Sequence, residues 1–254
     1  MDKLEDDEAA PSTIKQYVTI LRRAYNIAKD AVIDGAPLFS GKNPASATGL
    51  ILPKVINDRE RFFSGGEIAD ILDNAAKLPD MDLHDAIVIS LNAGLRLGEI
   101  ARLDWMDVNL ASKIVSVREE SQRKPGGKVP MNADCVAVFK RRRKTAEGGG
   151  RVGPVFPHPC GFQRWTYIQS KAFRELVDEL KLNEGIDAKD RQRRVVFHTL
   201  RHTFGSWLAI NGTDIYRIQK LMRHREISMT MRYSHLYVDH TAEAVHNLKP
   251  PKES

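Results

Sequence analysis

Apolar side chains recur every three or four residues between residues 12 and 34, the spacing of one face of an α-helix. Ser12 or Thr13 is a suitable N-cap for this helix, and Gly35 ends the pattern. The pattern predicts a short helical module, joined by a linker at residues 50–60 to the rest of the chain. The apolar positions are Ile14, Tyr17, Val18, Leu21, Tyr25, Ala28 and Val32.

Helical spacing also dominates the rest of the sequence, with one exception. Residues 114–117 alternate as a strand does, and the Pro-Gly-Gly turn that follows predicts a hairpin over residues 114–131. We therefore predict a mainly α fold with a small antiparallel β-sheet (α+β). Its expected parts are residues 1–53 and residues 54–254. The predicted helices of the second part are 64–75, 82–93, 95–103, 133–144, 161–181, 199–211, 213–222 and 226–235.

The composition is that of an ordinary globular chain, with 42% hydrophobic and 28% charged residues among 254. No apolar run approaches the roughly 20 residues that span a bilayer. The first residues are acidic and polar, unlike a signal peptide. Cys135 and Cys160 fit no metal-binding spacing. We expect a soluble, disulfide-free protein of the cytoplasm, with no membrane partner.

The positive charge of the chain is unevenly distributed. The formal net charge is +6, and basic residues concentrate in residues 140–144, 189–194 and 217–225. Any one such run is typical of a solvated helix face. Three runs between apolar helical patterns favour a polyanionic partner.

Four short segments carry candidate chemistry. They are GLRLGE at 94–99, HTLR at 198–201, LMRH at 221–224 and TMRYSH at 230–235, and Tyr233 follows His224 by nine residues. In their order and spacing, these segments resemble the catalytic domain of the tyrosine recombinase (phage integrase) family. The resemblance covers about residues 58–248. It implies a DNA strand-transfer enzyme that cuts and rejoins DNA through a 3′-phosphotyrosyl intermediate.

The resemblance also implies catalytic roles for individual residues. Tyr233 would be the nucleophile, and Arg96 and Arg201 would hold the phosphate oxygens with bidentate hydrogen bonds, which lysine cannot reproduce. His198 would act as the general base and His224 as a donor to the phosphoryl oxygen.

A hairpin lysine would protonate the leaving 5′-oxygen, with Lys124 the first choice and Lys128 the second. Glu99 is expected to orient Arg96 or the local backbone. Arg223 stands where the family pattern has glycine, so we expect it either to touch phosphate or to be exposed. His235 is expected to pack near the nucleophile without reacting.

No cofactor is expected. The covalent intermediate conserves the bond energy, so rejoining needs no ATP, and the sequence has no Walker loop. His198 and His202 have the spacing of two zinc ligands on one helix. They lack the glutamate of a zinc-binding HExxH motif, and Arg201 lies beside them, so no metal is expected.

The implied partners are double-stranded DNA recombination sites, with assembly into dimers or tetramers on DNA and possible accessory DNA-bending proteins. Residues 241–248 are expected to dock on a neighbouring protomer. The stretch before the catalytic part matches the last helix or two of the family's core-binding (DNA clamp) region, either as a naturally short element or as a fragment. We therefore expect weak DNA binding by this chain alone.

Two other functions remain open, a DNA-binding protein without catalysis and a type IB-like topoisomerase. The sequence does not separate integration from excision, resolution or inversion. It also leaves open whether Tyr233 acts in its own protomer or in a neighbour.

Overall fold

The computed structural model describes residues 10–46, 50–53, 61–119, 121, 125–146, 152–158, 161–188, 190 and 192–237. Two compact units divide the chain, Met1–Asn57 and Asp58–Ser254. Within the described residues, no helix is both long enough and apolar enough to cross a membrane.

The first unit is built on helix α1 (Pro11–Asp30), followed by a two-stranded hairpin of β1 (Val32–Ile33) and β2 (Ala36–Pro37). Pro11 occupies the first turn, where its missing N–H costs no hydrogen bond. The predicted helix is therefore present, but it begins without a Ser12 or Thr13 cap. It also ends at Asp30, because Ala31 is already extended, and the chain then turns back through left-handed Asp34 and Gly35 between β1 and β2.

The second unit places a buried helix, α3 (Asp82–Ala93), at its centre. Nearly all of its side chains are buried, and it contacts α2 (Gly65–Ala75), α4 (Leu97–Ala101), α5 (Ala133–Thr145), α6 (Phe162–Glu179) and α7 (Phe197–Ile210). A helix that is apolar around most of its circumference requires such surroundings, since it has no face to present to water. Helices α8 (Ile215–Met222) and α9 (Ser228–Met231) follow α7.

The small sheet has three antiparallel strands, β3 (Val108–Asn109), β4 (Ile114–Val117) and β5 (Gly127–Pro130), in that order. The register pairs Val115 with Val108 on one side and with Val129 on the other. All three valines are buried against the helical core. The predicted hairpin is thus confirmed. Strand β3 was not predicted, because a strand of two residues is too short to show an alternating pattern.

Most predicted helices are confirmed to within two residues at each end, and the capping box of Ser64 and Glu67 forms at the start of α2. The segment 95–103 is helical over α4, two residues shorter at each end. The prediction for 226–235 was too long, because that segment is split between α9 and a 3-10 turn at Ser234–Leu236. Residues 241–248 and the linker at 54–60 lie outside the described part of the chain.

The basic run at residues 140–144 has a role that the sequence did not reveal. On α5, Arg141 pairs with Asp85 and Arg142 pairs with Asp82, and Nε of Arg142 lies 2.9 Å from Oδ2 of Asp85. The guanidinium of Arg142 also covers the ring of Phe156 at 3.9 Å. These two arginines hold α5 against α3, so carboxylates of the fold balance their charge.

Candidate active site

The loop between α3 and α4 brings Arg96 into the site. Gly94 ends α3 in the left-handed conformation (φ 61°), and a Cβ there would lie 2.5 Å from the ring of Phe204. Glycine meets both demands, the backbone angle and the close approach. Arg96 follows as the residue preceding α4, with its side chain 22% exposed.

Glu99 is the centre of a cluster of arginines. Its Oε1 accepts from Nη1 of Arg96 at 2.6 Å, and its Oε2 accepts from the backbone N–H of Arg96 at 2.9 Å. Oε2 also accepts from Nη2 of Arg223 at 2.6 Å, while Nη1 of Arg201 lies 3.9 Å away. The prediction that Glu99 orients Arg96 and its backbone is confirmed. We call Arg96, Glu99, Arg201 and Arg223 the Glu99 cluster.

Burial and charge act in opposite directions on Glu99. Burial favours the neutral acid, but the positive charges of Arg223, Arg201 and Arg96 outweigh it and lower the pKa of Glu99 below its usual value. The carboxylate therefore stays ionised. Three guanidinium groups share this one carboxylate, so the cluster carries uncompensated positive charge.

Arg201 lies on α7 and is almost completely buried, with 1% of its surface exposed. Its two terminal nitrogens donate to the backbone carbonyls of Gly94 and Met222. A guanidinium has five N–H donors, so these two bonds leave others for a further acceptor. Burial, together with the repulsion of Arg96 and Arg223, lowers the pKa of Arg201 to about 9.

Arg223 is buried and paired within the protein. It ends α8 in the left-handed conformation (φ 52°) and is only 5% exposed, so the expectation of an exposed side chain is wrong. Its buried guanidinium pairs with Glu99. No local pattern indicates this pairing, because 124 residues separate the partners.

His224 follows directly and faces the same charges. Its Nδ1 lies 3.0 Å from Oγ1 of Thr230, a fully buried hydroxyl on α9. Burial, and then the nearby Arg201 and Arg96, lower the pKa of His224 to about 3. The imidazole is therefore neutral at pH 7. When the Thr230 hydroxyl donates to Nδ1, the neutral ring carries its proton on Nε2 and can still donate a hydrogen bond.

Tyr233 lies just beyond α9 and is 3% exposed. Burial raises the pKa of its hydroxyl to about 12, although Arg232 and Arg201 act in the opposite direction. The ring packs against α7 at Gly205, where a Cβ would lie 2.7 Å from Cζ of the tyrosine. A small residue on α7 thus lets the phenol approach the helix that carries Arg201.

The Tyr233 hydroxyl contacts His202, which the sequence pattern indicated only as a candidate zinc ligand. Nδ1 of His202 lies 3.1 Å from the hydroxyl oxygen, and both side chains are buried. His198 is exposed one turn earlier on α7, and its ring centroid lies 5.0 Å from that of His202. The i, i+4 spacing of the two histidines was the available signal for a shared helix face.

Of the two hairpin lysines expected to protonate the leaving 5′-oxygen, the structure describes one. Lys128 lies exposed on β5, opposite Ser116 of β4. Lys124 lies outside the described residues.

His235 is exposed in the 3-10 turn after Tyr233. Among the residues that the structure describes, no three His, Cys, Asp or Glu side chains are grouped as a metal site would need.

The arrangement defines a class of protein before any relative is considered. Arginines, a neutral histidine and a tyrosine hydroxyl from four separate segments meet in one place, as a site for phosphoryl chemistry on tyrosine requires. Residues 61–240 match the Phage integrase family, and the chain belongs to that family.

Relatives of known name agree with this assignment. The chain is 29% identical to tyrosine recombinase XerC of Xylella fastidiosa (strain 9a5c) over 209 residues, 80% of this chain and 66% of that protein. It is 25% identical to tyrosine recombinase XerD of Lacticaseibacillus casei, over 98% of this chain and 80% of XerD. The chain thus spans slightly less than two thirds of the length of the Xylella XerC that it matches.

Solved structures share the fold. The integrase of the Tn1549 transposon, in complex with a circular intermediate DNA, superposes with a TM-score of 0.68 at 21% identity, covering 97% of this chain and 82% of that one. The catalytic domain of bacteriophage HP1 integrase gives a TM-score of 0.55 at 23% identity, covering 73% of this chain and 94% of that domain. The predicted fold class is confirmed.

Proposed function

We propose that this protein is a site-specific DNA recombinase that cuts and rejoins strands through a phosphotyrosyl bond at Tyr233. The observation that carries the proposal is the Glu99 cluster, in which three guanidinium groups share one carboxylate next to a tyrosine. Such a site is short of negative charge, and a DNA phosphate would supply it.

The first step is attack by the phenol oxygen of Tyr233 on a DNA phosphorus. The Tyr–O–P bond forms and the bond from phosphorus to the 5′-oxygen breaks, leaving a 3′-phosphotyrosyl bond. Negative charge accumulates on the two nonbridging oxygens in the transition state. Arg96, which is partly exposed, and the unused N–H donors of Arg201 would stabilise these oxygens, with Nε2–H of His224 as a further donor.

Two proton transfers accompany the attack: the Tyr233 hydroxyl loses a proton and the leaving 5′-oxygen gains one. A hydroxyl whose pKa is about 12 is not ionised at pH 7, so a base must accept its proton during attack. We propose His198 for this role, because it is exposed on the first turn of α7, where DNA can reach it. The hydroxyl would exchange its contact with His202 for the phosphate. Lys124 or Lys128 would protonate the leaving 5′-oxygen.

We further propose that the substrates are double-stranded recombination sites, bound by dimers or tetramers of the protein in the cytoplasm of a bacterium. The Tn1549 integrase with its circular intermediate DNA and XerH bound to its difH substrate support DNA as the partner. We propose that the first unit is part of the DNA clamp. Accessory DNA-bending proteins are an additional proposed partner.

The test is an SDS-stable protein–DNA adduct, formed by purified protein on a pool of fragments from its source genome. The wild type is expected to form the adduct, and Tyr233→Phe is expected to form none. Tyr237→Phe is the matched control, because that tyrosine lies four residues further on and is 41% exposed. An adduct that survives in Tyr233→Phe would disprove the assignment of the nucleophile. Noncovalent binding without any adduct would instead favour a DNA-binding protein that lacks catalysis.

A further inference from the structure

Arg223 occupies a strained backbone position. Its φ of 52° and ψ of 44° lie in the left-handed region, which glycine adopts freely and a residue with a Cβ adopts at a cost. The cost falls directly before His224, in the turn that presents this histidine to the site. A long basic side chain here therefore needs a compensating interaction.

That interaction is the pairing with Glu99. The Arg223 side chain is 2% exposed, and its Nη2 lies 2.6 Å from Oε2 of the carboxylate. Nη1 makes a longer contact of 3.4 Å with the carbonyl of Leu221, and Nε has no hydrogen-bond partner among the described residues. A buried guanidinium is tolerated only when it is paired, so Glu99 is what keeps Arg223 in place.

The pairing changes what is left for Arg201. Oε2 of Glu99 already accepts from Arg223 and from the backbone of Arg96, whereas Nη1 of Arg201 lies 3.9 Å away, beyond hydrogen-bond distance. Without Arg223, Oε2 would be free to accept from Arg201. Arg223 thus occupies the carboxylate oxygen that Arg201 approaches only to 3.9 Å.

The aliphatic part of Arg223 also reaches the hairpin. A Cβ built on Gly127 would lie 3.2 Å from Cδ and 3.3 Å from Cγ of Arg223, so the first residue of β5 packs on this side chain. Gly127 pairs with Val117 of β4 and directly precedes Lys128. One side chain therefore connects the arginine cluster to the hairpin that carries the candidate acid.

We propose that Arg223 is a positioning residue of the strand-transfer site. It occupies Glu99 and supports β5 at Gly127, so that Arg96 and Arg201 keep N–H donors for a phosphate. This inference rests on the proposed function.

The first test compares Arg223→Gly with Arg223→Lys in single-turnover adduct formation. Glycine relieves the backbone strain and removes the guanidinium, whereas lysine keeps a charge that can still reach Glu99. Lys181→Gly is the matched control, since Lys181 has φ 55° and is exposed beyond α6. We expect Arg223→Gly to lower the rate at saturating DNA at least tenfold, with the half-saturating DNA concentration changed less than threefold. Arg223→Lys should recover most of the rate, and Lys181→Gly should match the wild type.

A pH profile separates positioning from simple loss of structure. Glu99 holds Arg96 in place while its carboxylate is ionised, and Arg223 is the strongest of the charges that lower the pKa of Glu99. Removal of Arg223 should therefore move the acidic limb of the rate profile to higher pH. The limb should not move in Lys181→Gly. A wild-type rate and profile in Arg223→Gly would overturn the proposal. A lower rate with an unshifted limb and no rescue by lysine would also overturn it, because it would indicate a structural role only.

Binding of inorganic phosphate tests the same inference without catalysis. By calorimetry, Arg223→Gly should bind inorganic phosphate at least threefold more weakly than the wild type, because Glu99 would then neutralise Arg201. Equal binding would overturn the positioning role, even if the wild type forms no adduct. Absence of the adduct alone would count against the proposed function, so the two failures are distinguishable.

Discussion

Two groups of arginines in the second unit have opposite charge balances. On α5, Arg141 and Arg142 face Asp82 and Asp85, so each cation has a carboxylate of its own. In the Glu99 cluster, three arginines share a single carboxylate. The first group lies in the densest basic run of the sequence, whereas the arginines of the second come from three separate segments.

We infer from this difference that a shortage of carboxylates, and not a high density of basic residues, marks the proposed anion-binding site. Matched pairs between helices hold the fold together and leave no charge for a ligand. Unmatched guanidinium groups repel each other, and this repulsion adds to the larger effect of burial in lowering the pKa of Arg201. An arriving phosphate would relieve the repulsion. Substitutions in the two groups should therefore affect different properties.

The largest expected effect is on catalysis, from Arg201→Lys. Lysine keeps the charge but has one terminal nitrogen, so it cannot reproduce the planar fork that bonds the carbonyls of Gly94 and Met222 from two nitrogens. We expect adduct formation to slow by about 100-fold, the scale of losing one preorganised donor. Single-turnover rates at saturating DNA measure it. The control is Arg142→Lys on α5, which should stay within threefold of the wild type per folded molecule. Equal losses of rate in Arg201→Lys and Arg142→Lys would contradict the distinction between the Glu99 cluster and the arginines of α5.

The next effect is on stability, from Arg142→Met. This variant leaves the buried Asp85 with less compensation and removes the stacking on Phe156. We expect the free energy of unfolding to fall by about 2–4 kcal/mol in urea denaturation. Arg96→Met, at a side chain that is 22% exposed, should cost less than about 1 kcal/mol. If Arg96→Met lowers the free energy of unfolding more than Arg142→Met does, the Glu99 cluster stabilises the fold at least as much as the ion pairs of α5.

A smaller effect appears in the pH dependence of stability. The pKa of His224 is about 3 in the folded protein but near its usual 6.5 when unfolded, so the unfolded chain alone binds a proton between these values. Stability should therefore fall as the pH drops below about 6.5, by about 1–2 kcal/mol at pH 5 relative to pH 8. Glu99 contributes only at lower pH, since its pKa is below the ordinary carboxyl value. In urea denaturation at both pH values, His224→Gln should lose this part of the dependence; an identical slope would refute the buried neutral histidine.

The smallest effect is stabilisation by a simple anion. Sulfate that occupies the Glu99 cluster with a Kd of about 10 mM would add about 1 kcal/mol at about 50 mM sulfate. Thermal melting against sodium chloride of equal ionic strength measures the difference. Arg142→Lys should keep the sulfate response and Arg96→Met should reduce it. A sulfate response that is lost in Arg142→Lys and kept in Arg96→Met would place the anion at the arginines of α5.

Local features of the sequence determined the secondary structure and the candidate residues. The helical spacing of 82–93 and the alternation at 114–117 depend on neighbouring residues only, so both were predicted with nearly correct bounds. The four segments also preserve their order and spacing, and they led to Arg96, Arg201, His224 and Tyr233.

The tertiary structure alone decided which partner each charged or polar side chain received. Glu99 and Arg223 are 124 residues apart, and His202 and Tyr233 are 31 apart, so no local pattern links them. The same applies to Arg141, whose partner Asp85 lies 56 residues away. Periodicity reports which face of an element is buried, but the packing of distant elements determines what a buried charge meets. That packing left Arg201 without a carboxylate of its own.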